Sequence, residues 1–549
     1  MSKPKLLLLT PVTWYRSVIL PGLGNLCVGA MVRDDCELIH HDANRLSKSL
    51  EKWIHQVPAK PDLVAIQCQN TNRVFNVLSM CETMRKVWGR QIPIISGGTH
   101  ASLDAEFLVS TRLIDYVVVG EGELSFRELV WRLIGKIDKP LEQIEGICML
   151  RDGKPFRTPA RPQIANLDDL PVPCWDIVDP ADYKGNSPFG TMTMIETSRG
   201  CAFGCTFCSP ALLWKRTWRK KSPERVAHEF RLAEERGAEF TWLAELDPCH
   251  DPQHIRDFCS ALVKQGNTIR WFSQQRADQI TANPDLAELM YAAGCRVANV
   301  GYESMSLRTL RSFNKGTTPQ MNERARDILS GNKIITNGGL IIGVPGETRE
   351  EMESTIRFGL TLDFPDFAIL RPYPQTRWGE NNEEHREKYR KFNEGWCFLH
   401  DEPRLVEWLH KKATFMAWFH PKRVMAFFSP DDFRRGFCRW RYQVYAEVMT
   451  KRVLDKLKHK LHGVAARLLP WVKAPELLEN GQEEYRFLPP AQQLPEDPAA
   501  CTSPELVQRL QEIDCECKGG NGERVVVDEE RKDHPDPSHS AEDTTVSAP

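Results

Sequence analysis

No stretch of the sequence approaches the ~20 consecutive apolar residues that a membrane span requires, and the apolar run near its start, Leu6–Leu9, breaks at Pro11. That run is too short for the core of a secretory leader and reads as a buried first strand. An excess of one charge is missing as well: 72 Lys and Arg face 74 Asp and Glu, a formal net charge of −2, so no overall field favours nucleic acid. The 17 cysteines are scattered through 549 residues without framework spacing, which argues against a disulfide scaffold. Also absent is a second cysteine pair beside the one tight cluster, whereas structural zinc usually takes its four ligands as two pairs. These absences lead to the expectation of a soluble, cytoplasmic protein in a reducing compartment. Its 41% of hydrophobic residues suffice for the cores of roughly three or four domains.

What is present is concentrated in Thr197-Ser198-Arg199-Gly200-Cys201-Ala202-Phe203-Gly204-Cys205-Thr206-Phe207-Cys208. The spacing CxxxCxxC supplies three thiolates from one short loop, so a cubane 4Fe-4S cluster held there keeps one iron without a protein ligand. A small chelating molecule can bind that iron, and an electron delivered through the cluster can break a bond in it. A zinc site and a chance cluster are the alternatives. Phe203 and Phe207 flank the cysteines, where apolar rings limit solvent.

The motif, with an aromatic residue before its third cysteine, resembles that of the radical S-adenosylmethionine (radical SAM) enzymes. The resemblance implies that Cys201, Cys205 and Cys208 are metal ligands and that S-adenosylmethionine chelates the open iron. It further implies reductive cleavage to a 5′-deoxyadenosyl radical, with Phe207 beside the adenine.

Residues 1 to about 140 alternate apolar runs (Lys5–Thr10, Cys36–His40, Leu63–Gln67, Ile92–Ser96, Tyr116–Val119) with helical patterns, which predicts an α/β, doubly wound parallel sheet. Ligands bind such sheets at the carboxyl ends of the strands, where Gly97-Gly98-Thr99-His100 and Gly120-Glu121-Gly122-Glu123 fall. Both loops resemble the cobalamin-binding domain of one branch of the radical SAM family. That resemblance implies Gly97, Gly98, Gly120 and Gly122 as cofactor contacts and His100 as a candidate near the corrin. The segment Asp-x-His-x-x-Gly, with which many cobalamin proteins supply a histidine to cobalt, is absent, as is typical of this branch.

Residues 141–185 read as a linker containing a hairpin with an Asp152-Gly153 turn and the proline-rich run Leu170–Asp176. Between 186 and 385, six strand–helix units suit the partial (β/α)6 barrel that the resemblance implies, with its site at the carboxyl ends of the strands. Residues 386–473 read as a small helical C-terminal domain. Its basic stretch 437–471 is either a surface helix on the barrel or a peripheral membrane contact. Residues 474–549 read as a largely disordered tail.

The run Thr241–Asp247 ends in two carboxylates on one face of a strand, Glu245 being preferred and Asp247 the runner-up for the S-adenosylmethionine amine. Arg276 follows the third barrel strand, where a guanidinium would grip the cofactor's carboxylate. Glu303 suits the ribose hydroxyls, and Gly339, Gly343 and Pro345 match a family strand whose backbone lies along the adenine. Tyr302 is the catalytic candidate, as a hydrogen-atom donor or relay to substrate.

The segments Leu213–Arg219, Ser222–Val226, Phe313–Thr318 and Phe433–Arg441 resemble those of the anaerobic magnesium-protoporphyrin monomethyl ester cyclases. That likeness implies an oxidoreductase that functionalises an unactivated C–H bond, with oxidative ring formation on a tetrapyrrole as one outcome. A cobalamin-dependent C-methyltransferase is the alternative outcome, and a cluster- and corrinoid-binding sensor the alternative of another class. The expected partners are a small-molecule substrate and an electron donor such as flavodoxin or ferredoxin, with no nucleic acid.

Overall fold

Leu6, Leu7, Leu8 and Leu9 are all fully buried, which a strand achieves only when both faces of its sheet are covered. They belong to the first of two α/β units in a computed structural model, which describes residues 2–12, 20–43, 53–69, 74–184, 189–371, 373, 376–378, 399–444 and 446. The first unit runs β1 (Lys5–Thr10), α1 (Leu23–Ala30), β2 (Glu37–Asp42), β3 (Leu63–Gln67), α2 (Val74–Trp88), β4 (Ile94–Gly97), α3 (Thr99–Leu103), α4 (Ala105–Ser110), β5 (Tyr116–Val118), α5 (Gly122–Leu133), β6 (Ile147–Arg151) and β7 (Lys154–Arg157). The sheet order is β2-β1-β3-β4-β5-β6-β7. Strands β1 to β5 pair in parallel, and the order reverses between β1 and β3, the switch point at which such sheets open a crevice.

The hairpin β6–β7 corrects the expectation of a linker beginning at 141. It adds two antiparallel strands to the edge of this sheet, with Tyr116 opposite Met149. Burial of Ile147, Cys148 and Met149 explains the docking.

The second unit comprises β8 (Met192–Ile195), β9 (Ser198–Gly200), α6 (Ser209–Leu213), β10 (Trp218–Lys220), α7 (Pro223–Glu235), β11 (Phe240–Leu243), α8 (Pro252–Lys264), β12 (Arg270–Arg276), α9 (Ala277–Ala282), α10 (Leu286–Ala292), β13 (Cys295–Glu303), α11 (Leu307–Ser312), α12 (Pro319–Gly331), β14 (Ile335–Ile342), α13 (Arg349–Thr361) and β15 (Phe364–Ile369). Six parallel strands in the order β8-β11-β12-β13-β14-β15 form an open barrel, and β9 pairs with β10 as a separate antiparallel ribbon. The helices start where the sequence caps them. In α7 the Ser222 hydroxyl accepts from Arg225 N–H, Pro223 occupies the first turn, and Val226, Phe230 and Ala233 recur on the buried face. Full burial of a side chain such as Phe230 stabilises by roughly 1.5–3 kcal/mol.

Beyond the barrel, α14 (Pro403–Trp418) packs on β15 and α13, α15 (Pro421–Ala426) follows, and residues 432–444 are helical. Phe433, Phe437, Cys438 and Trp440 close the amino-terminal mouth of the barrel against Phe189, Met192, Phe240, Phe272 and Phe364. The Phe189 ring stacks on Phe240 at 4.7 Å. At its described start the stretch 437–471 packs on the barrel as a helix, with Phe437 and Trp440 buried because they fill the barrel floor. Residues 447–473 and the expected disordered tail lie outside the described residues. No helix among the described residues is long and apolar enough to cross a membrane.

Candidate active site between the two sheets

A cavity of about 600 Å³ separates the carboxyl ends of the first sheet from the carboxyl mouth of the barrel. The first unit contributes Thr10 from the end of β1, Asn25 from α1, Gln67 at the end of β3 and Gln69 beyond it, Gly97 at the end of β4 and Gly98 beyond it, and Gly120–Glu123 after β5. The barrel contributes Met194, Glu196, Arg199, Trp214, Trp242, Glu245 and Gln274. All four glycines expected to meet a corrin therefore line one space. Gly98 has φ +114°, and an added Cβ there would lie 2.9 Å from the Cys68 carbonyl oxygen, so no larger residue fits this turn without moving backbone.

His100 is not among the lining residues. It sits in the first turn of α3, is 3% exposed, and lies 3.9 Å from Asp104, with burial holding its pKa down at about 4. A neutral buried imidazole corrects the expectation of a histidine near the corrin. Among the described residues no histidine lines the cavity.

The two units are joined at this cavity by a buried ion cluster. The Arg199 guanidinium donates to Glu123 at 2.6 Å, Glu196 at 2.8 Å and Glu121 at 3.3 Å, and Arg219 donates to Glu121 at 2.9 Å. Glu121 and Glu123 belong to the second glycine loop, and Arg199 lies two residues before Cys201. Burial pushes the Glu123 carboxyl up, but Arg199 overrides it and holds the group below the ordinary carboxylate range.

Cys201, Cys205 and Cys208 are half-buried in the loop between β9 and α6, and none forms a disulfide. At the entry to that loop Gly200 adopts φ +95°, where a Cβ would lie 2.1 Å from the Thr217 carbonyl oxygen just before the returning ribbon strand. Among the described residues no three His, Cys, Asp or Glu side chains converge on a single ion. Phe207 packs on Phe313, with ring centroids 4.8 Å apart, which anchors the loop to the end of α11.

Glu245 is fully buried, and its Oε2 accepts from the backbone N–H and hydroxyl of both Thr197 and Ser198 at 2.7–3.2 Å. Burial nonetheless raises its pKa to about 7. One oxygen of the expected amine contact thus holds the strand that enters the cysteine loop, while its Oε1 is unpaired and the side chain lines the cavity. Asp247 differs: it is fully buried, neither carboxylate oxygen makes a hydrogen bond of normal geometry, and His250 Nδ1 stands 4.0 Å away. The Cys249 amide lies beside it, and the side chain caps no helix. Burial raises its pKa to about 7 against the pull of Arg276.

Arg276 lies over the Phe203 ring at 3.5 Å and donates to Cys205 Sγ at 3.4 Å. Its fork is engaged by Asp278 at 2.9 and 3.0 Å and by the Lys315 carbonyl oxygen, which corrects the expected bidentate grip on a cofactor carboxylate. Glu303, at φ +63°, bonds Lys315 Nζ at 2.8 Å. Lys315 is a site residue that sequence reasoning passed over. Burial works against its charge, yet Glu303 holds it above the usual lysine range.

Tyr302 is displaced from the site. Alternation along β13 turns it to the helix-covered face, fully buried, with its ring edge-on to Phe358 at 5.1 Å. Burial pushes its phenol up, and the expectation of a catalytic tyrosine is corrected. Gly339 opens toward the other face of its strand, where an added Cβ meets nothing nearer than the Val300 carbonyl oxygen at 4.0 Å. Gly343 and Pro345 form the turn after β14. Glu347, also unforeseen, shapes it by accepting from Gly343 N–H at 2.9 Å and Val344 N–H at 3.1 Å.

Burial raises the Glu347 pKa from 4.5 to about 7. A carboxyl whose folded pKa exceeds its unfolded value favours the fold while protonated, so that contribution falls as pH rises from 4.5 through 7. Glu347→Gln is therefore expected to raise the thermal unfolding midpoint at pH 8 and leave it unchanged at pH 4. Equal shifts at both pH values would contradict this assignment.

A family model for the radical SAM superfamily matches residues 195–359, and one for the B12 binding domain matches residues 12–130. An uncharacterized methyltransferase of Pyrococcus horikoshii is 34% identical over 369 residues, covering 66% of this chain and 78% of that protein. The chain belongs to the radical SAM superfamily, in its cobalamin-binding branch. The anaerobic magnesium-protoporphyrin IX monomethyl ester cyclase of Rubrivivax gelatinosus is 29% identical over 321 residues, 57% of each chain. The fold is shared with the radical S-adenosylmethionine methyltransferase TsrM of Kitasatospora setae, at a TM-score of 0.58 and 20% identity over 69% of this chain and 74% of that one.

As a cobalamin-dependent radical SAM enzyme, the protein uses a 4Fe-4S cluster, S-adenosylmethionine and cobalamin, and its residues fit these groups. The three thiolates come from one loop. Thr10 Oγ1 and Asn25 Nδ2 line the cavity, buried and without partners, as suits the amide-bearing rim of a corrin. Asp247 is a buried carboxylate beside the cysteine loop that lacks a cation of its own.

Proposed function

We propose that this enzyme is a C-methyltransferase, acting on an unactivated C–H bond of a small molecule bound between the corrin face and the barrel mouth. The observation that carries the reading is the single cavity shared by the glycine loops of the first sheet and the barrel residues beside the cysteine loop. The methyltransferase relative at 34% identity supports methyl transfer over ring closure. When bound, the cluster supplies an electron to S-adenosylmethionine and the corrin supplies a methyl carrier. Within the chain, Cys201, Cys205 and Cys208 hold the cluster. Asp247 pairs with the cationic amine of S-adenosylmethionine, while Arg276 and Lys315 keep positive charge beside the thiolates. Glu245 fixes the strand that presents the loop, and Phe203 and Phe207 exclude water. A small electron-transfer protein such as flavodoxin or ferredoxin delivers the electron.

The test is anaerobic turnover with reductant, candidate substrates and S-adenosylmethionine deuterated in its methyl group. A product carrying the intact trideuteromethyl group is expected. A ring-closed product that has lost hydrogen and gained no label would establish the cyclase reading in its place, to which the 29% identity with the Rubrivivax gelatinosus enzyme gives weight.

A further inference from the structure

Helix α14 is apolar on both sides. Its inner stripe, Val406, Leu409 and Ala413, packs on Ile342, Met352, Ile356 and Ile369 of the barrel. Its outer stripe carries Trp408, Phe415 and Phe419 at helical spacing, respectively 48%, 60% and 61% exposed, and Met425 (66%) and Phe428 (76%) continue it. Of the eleven large apolar residues exposed among the described residues, seven fall between 408 and 428. Such clustering marks an interaction surface, because isolated exposed apolar residues are ordinary and contiguous ones are not.

The rim of this ridge is cationic. Lys412 Nζ stands 4.8 Å from the Trp408 ring centroid, and the Arg349 guanidinium 5.7 Å from the same ring. The neighbouring Lys411 side chain is 65% exposed, although it reaches Glu407. Of the nine Lys and Arg in residues 403–444, Arg423 is buried and Lys422, Arg434, Arg435 and Arg441 pair with Asp363, Asp432 and Asp366, which leaves Arg404, Lys411, Lys412 and Arg439 as the exposed cations outside those pairs. Bulky apolar side chains projecting past flanking lysines are the composition of a surface that lies in a lipid interface, where acidic headgroups meet the lysines.

We propose that the α14–α15 ridge seats the enzyme on an anionic bilayer surface, with Phe415, Phe419, Met425 and Phe428 entering the boundary between headgroups and acyl chains. A second copy of this chain is the weaker occupant, since pairing ridge to ridge would bring two segments of the same positive sign together. The inference concerns a surface on the far side of β15 from the cofactor cavity and does not depend on which reaction the site performs.

The test uses full-length protein sedimented with vesicles of phosphatidylcholine alone, or of phosphatidylcholine containing phosphatidylglycerol. Binding to the phosphatidylglycerol vesicles is expected to exceed binding to phosphatidylcholine at least tenfold and to weaken with salt. The triple variant Phe415→Ser, Phe419→Ser, Phe428→Ser is expected to lose at least tenfold of that binding while keeping its unfolding midpoint and its S-adenosylmethionine cleavage. Lys411→Glu with Lys412→Glu is expected to abolish the preference for phosphatidylglycerol. Three results would overturn the proposal: no vesicle binding by the wild-type chain, undiminished binding by the serine variant, or a wild-type dimer in solution that the serine variant dissolves. Because the serine variant keeps its cofactor cavity, its vesicle result is independent of the methyl-transfer result.

Discussion

Asp247→Asn is expected to slow S-adenosylmethionine cleavage by ~10- to 100-fold at unchanged iron content, the loss that follows from removing one hydrogen bond to a charged group. The carboxylate is buried, makes no hydrogen bond of normal geometry, and stands next to the cysteine loop. A buried carboxylate without a partner is costly to keep ionised, as its raised pKa of about 7 shows. An incoming ammonium supplies the missing partner. Asparagine has the same shape and no charge, so the variant should fold at least as well as the wild type while binding the cofactor amine poorly. Glu245→Ala should behave differently: it leaves the backbone and hydroxyl donors of Thr197 and Ser198 unpaired and loosens the cysteine loop itself. Anaerobic assay of 5′-deoxyadenosine beside iron and sulfide analysis separates the two. Loss of iron from Asp247→Asn, or normal cleavage by it, would remove Asp247 from the proposed role.

Arg199→Ala is expected to be strongly destabilising, at about 3–5 kcal/mol, because it strands Glu123 and Glu196 in a buried site and leaves Glu121 only Arg219. Removing a surface partner instead, such as Arg33 from its pair with Asp176, should cost about 0–1 kcal/mol. Arg199→Lys keeps the charge but cannot reach three carboxylates at once, and should fall between the two. Since Glu121 and Glu123 flank a cavity glycine and Arg199 leads into Cys201, the alanine variant should also release corrinoid more readily. Urea unfolding midpoints and corrinoid retained after gel filtration measure the two effects. A stability change within 1 kcal/mol would show that the junction does not depend on this cluster.

The strands were legible because parallel sheets covered on both faces are written as unbroken apolar runs. Lys5–Thr10 and Leu63–Gln67 fall where the sequence places them. The cysteine loop was legible from spacing alone. Side-chain direction was not. The sequence pattern puts Glu245 and Asp247 on one face of a strand, whereas β11 ends at Leu243 and Thr197 and Ser198 engage one oxygen of Glu245. Tyr302 lies beside a correctly placed Glu303, yet the parity of the strand turns it into the helix layer. His100 follows two cavity glycines, but the helical turn it starts carries it under the surface. The barrel floor joins Phe189 to Phe433 and Phe437 across more than 200 residues, a pairing that no local pattern announces. Lys315 and Glu347 were hidden for the same reason, since each is defined by a partner or backbone turn in space.

The claim on which all of this rests is that the iron–sulfur cluster and the corrin are held at one junction of the two units by separate sets of residues. Iron, sulfide and corrinoid, counted together in anaerobically reconstituted protein, test it most directly in two variants. The Cys201→Ala, Cys205→Ala, Cys208→Ala triple variant should lose iron and sulfide while retaining corrinoid. Gly98→Val, whose side chain would press on the Cys68 carbonyl, should lose corrinoid while retaining iron. Iron retained by the triple variant, or corrinoid bound undiminished by Gly98→Val, would contradict the claim.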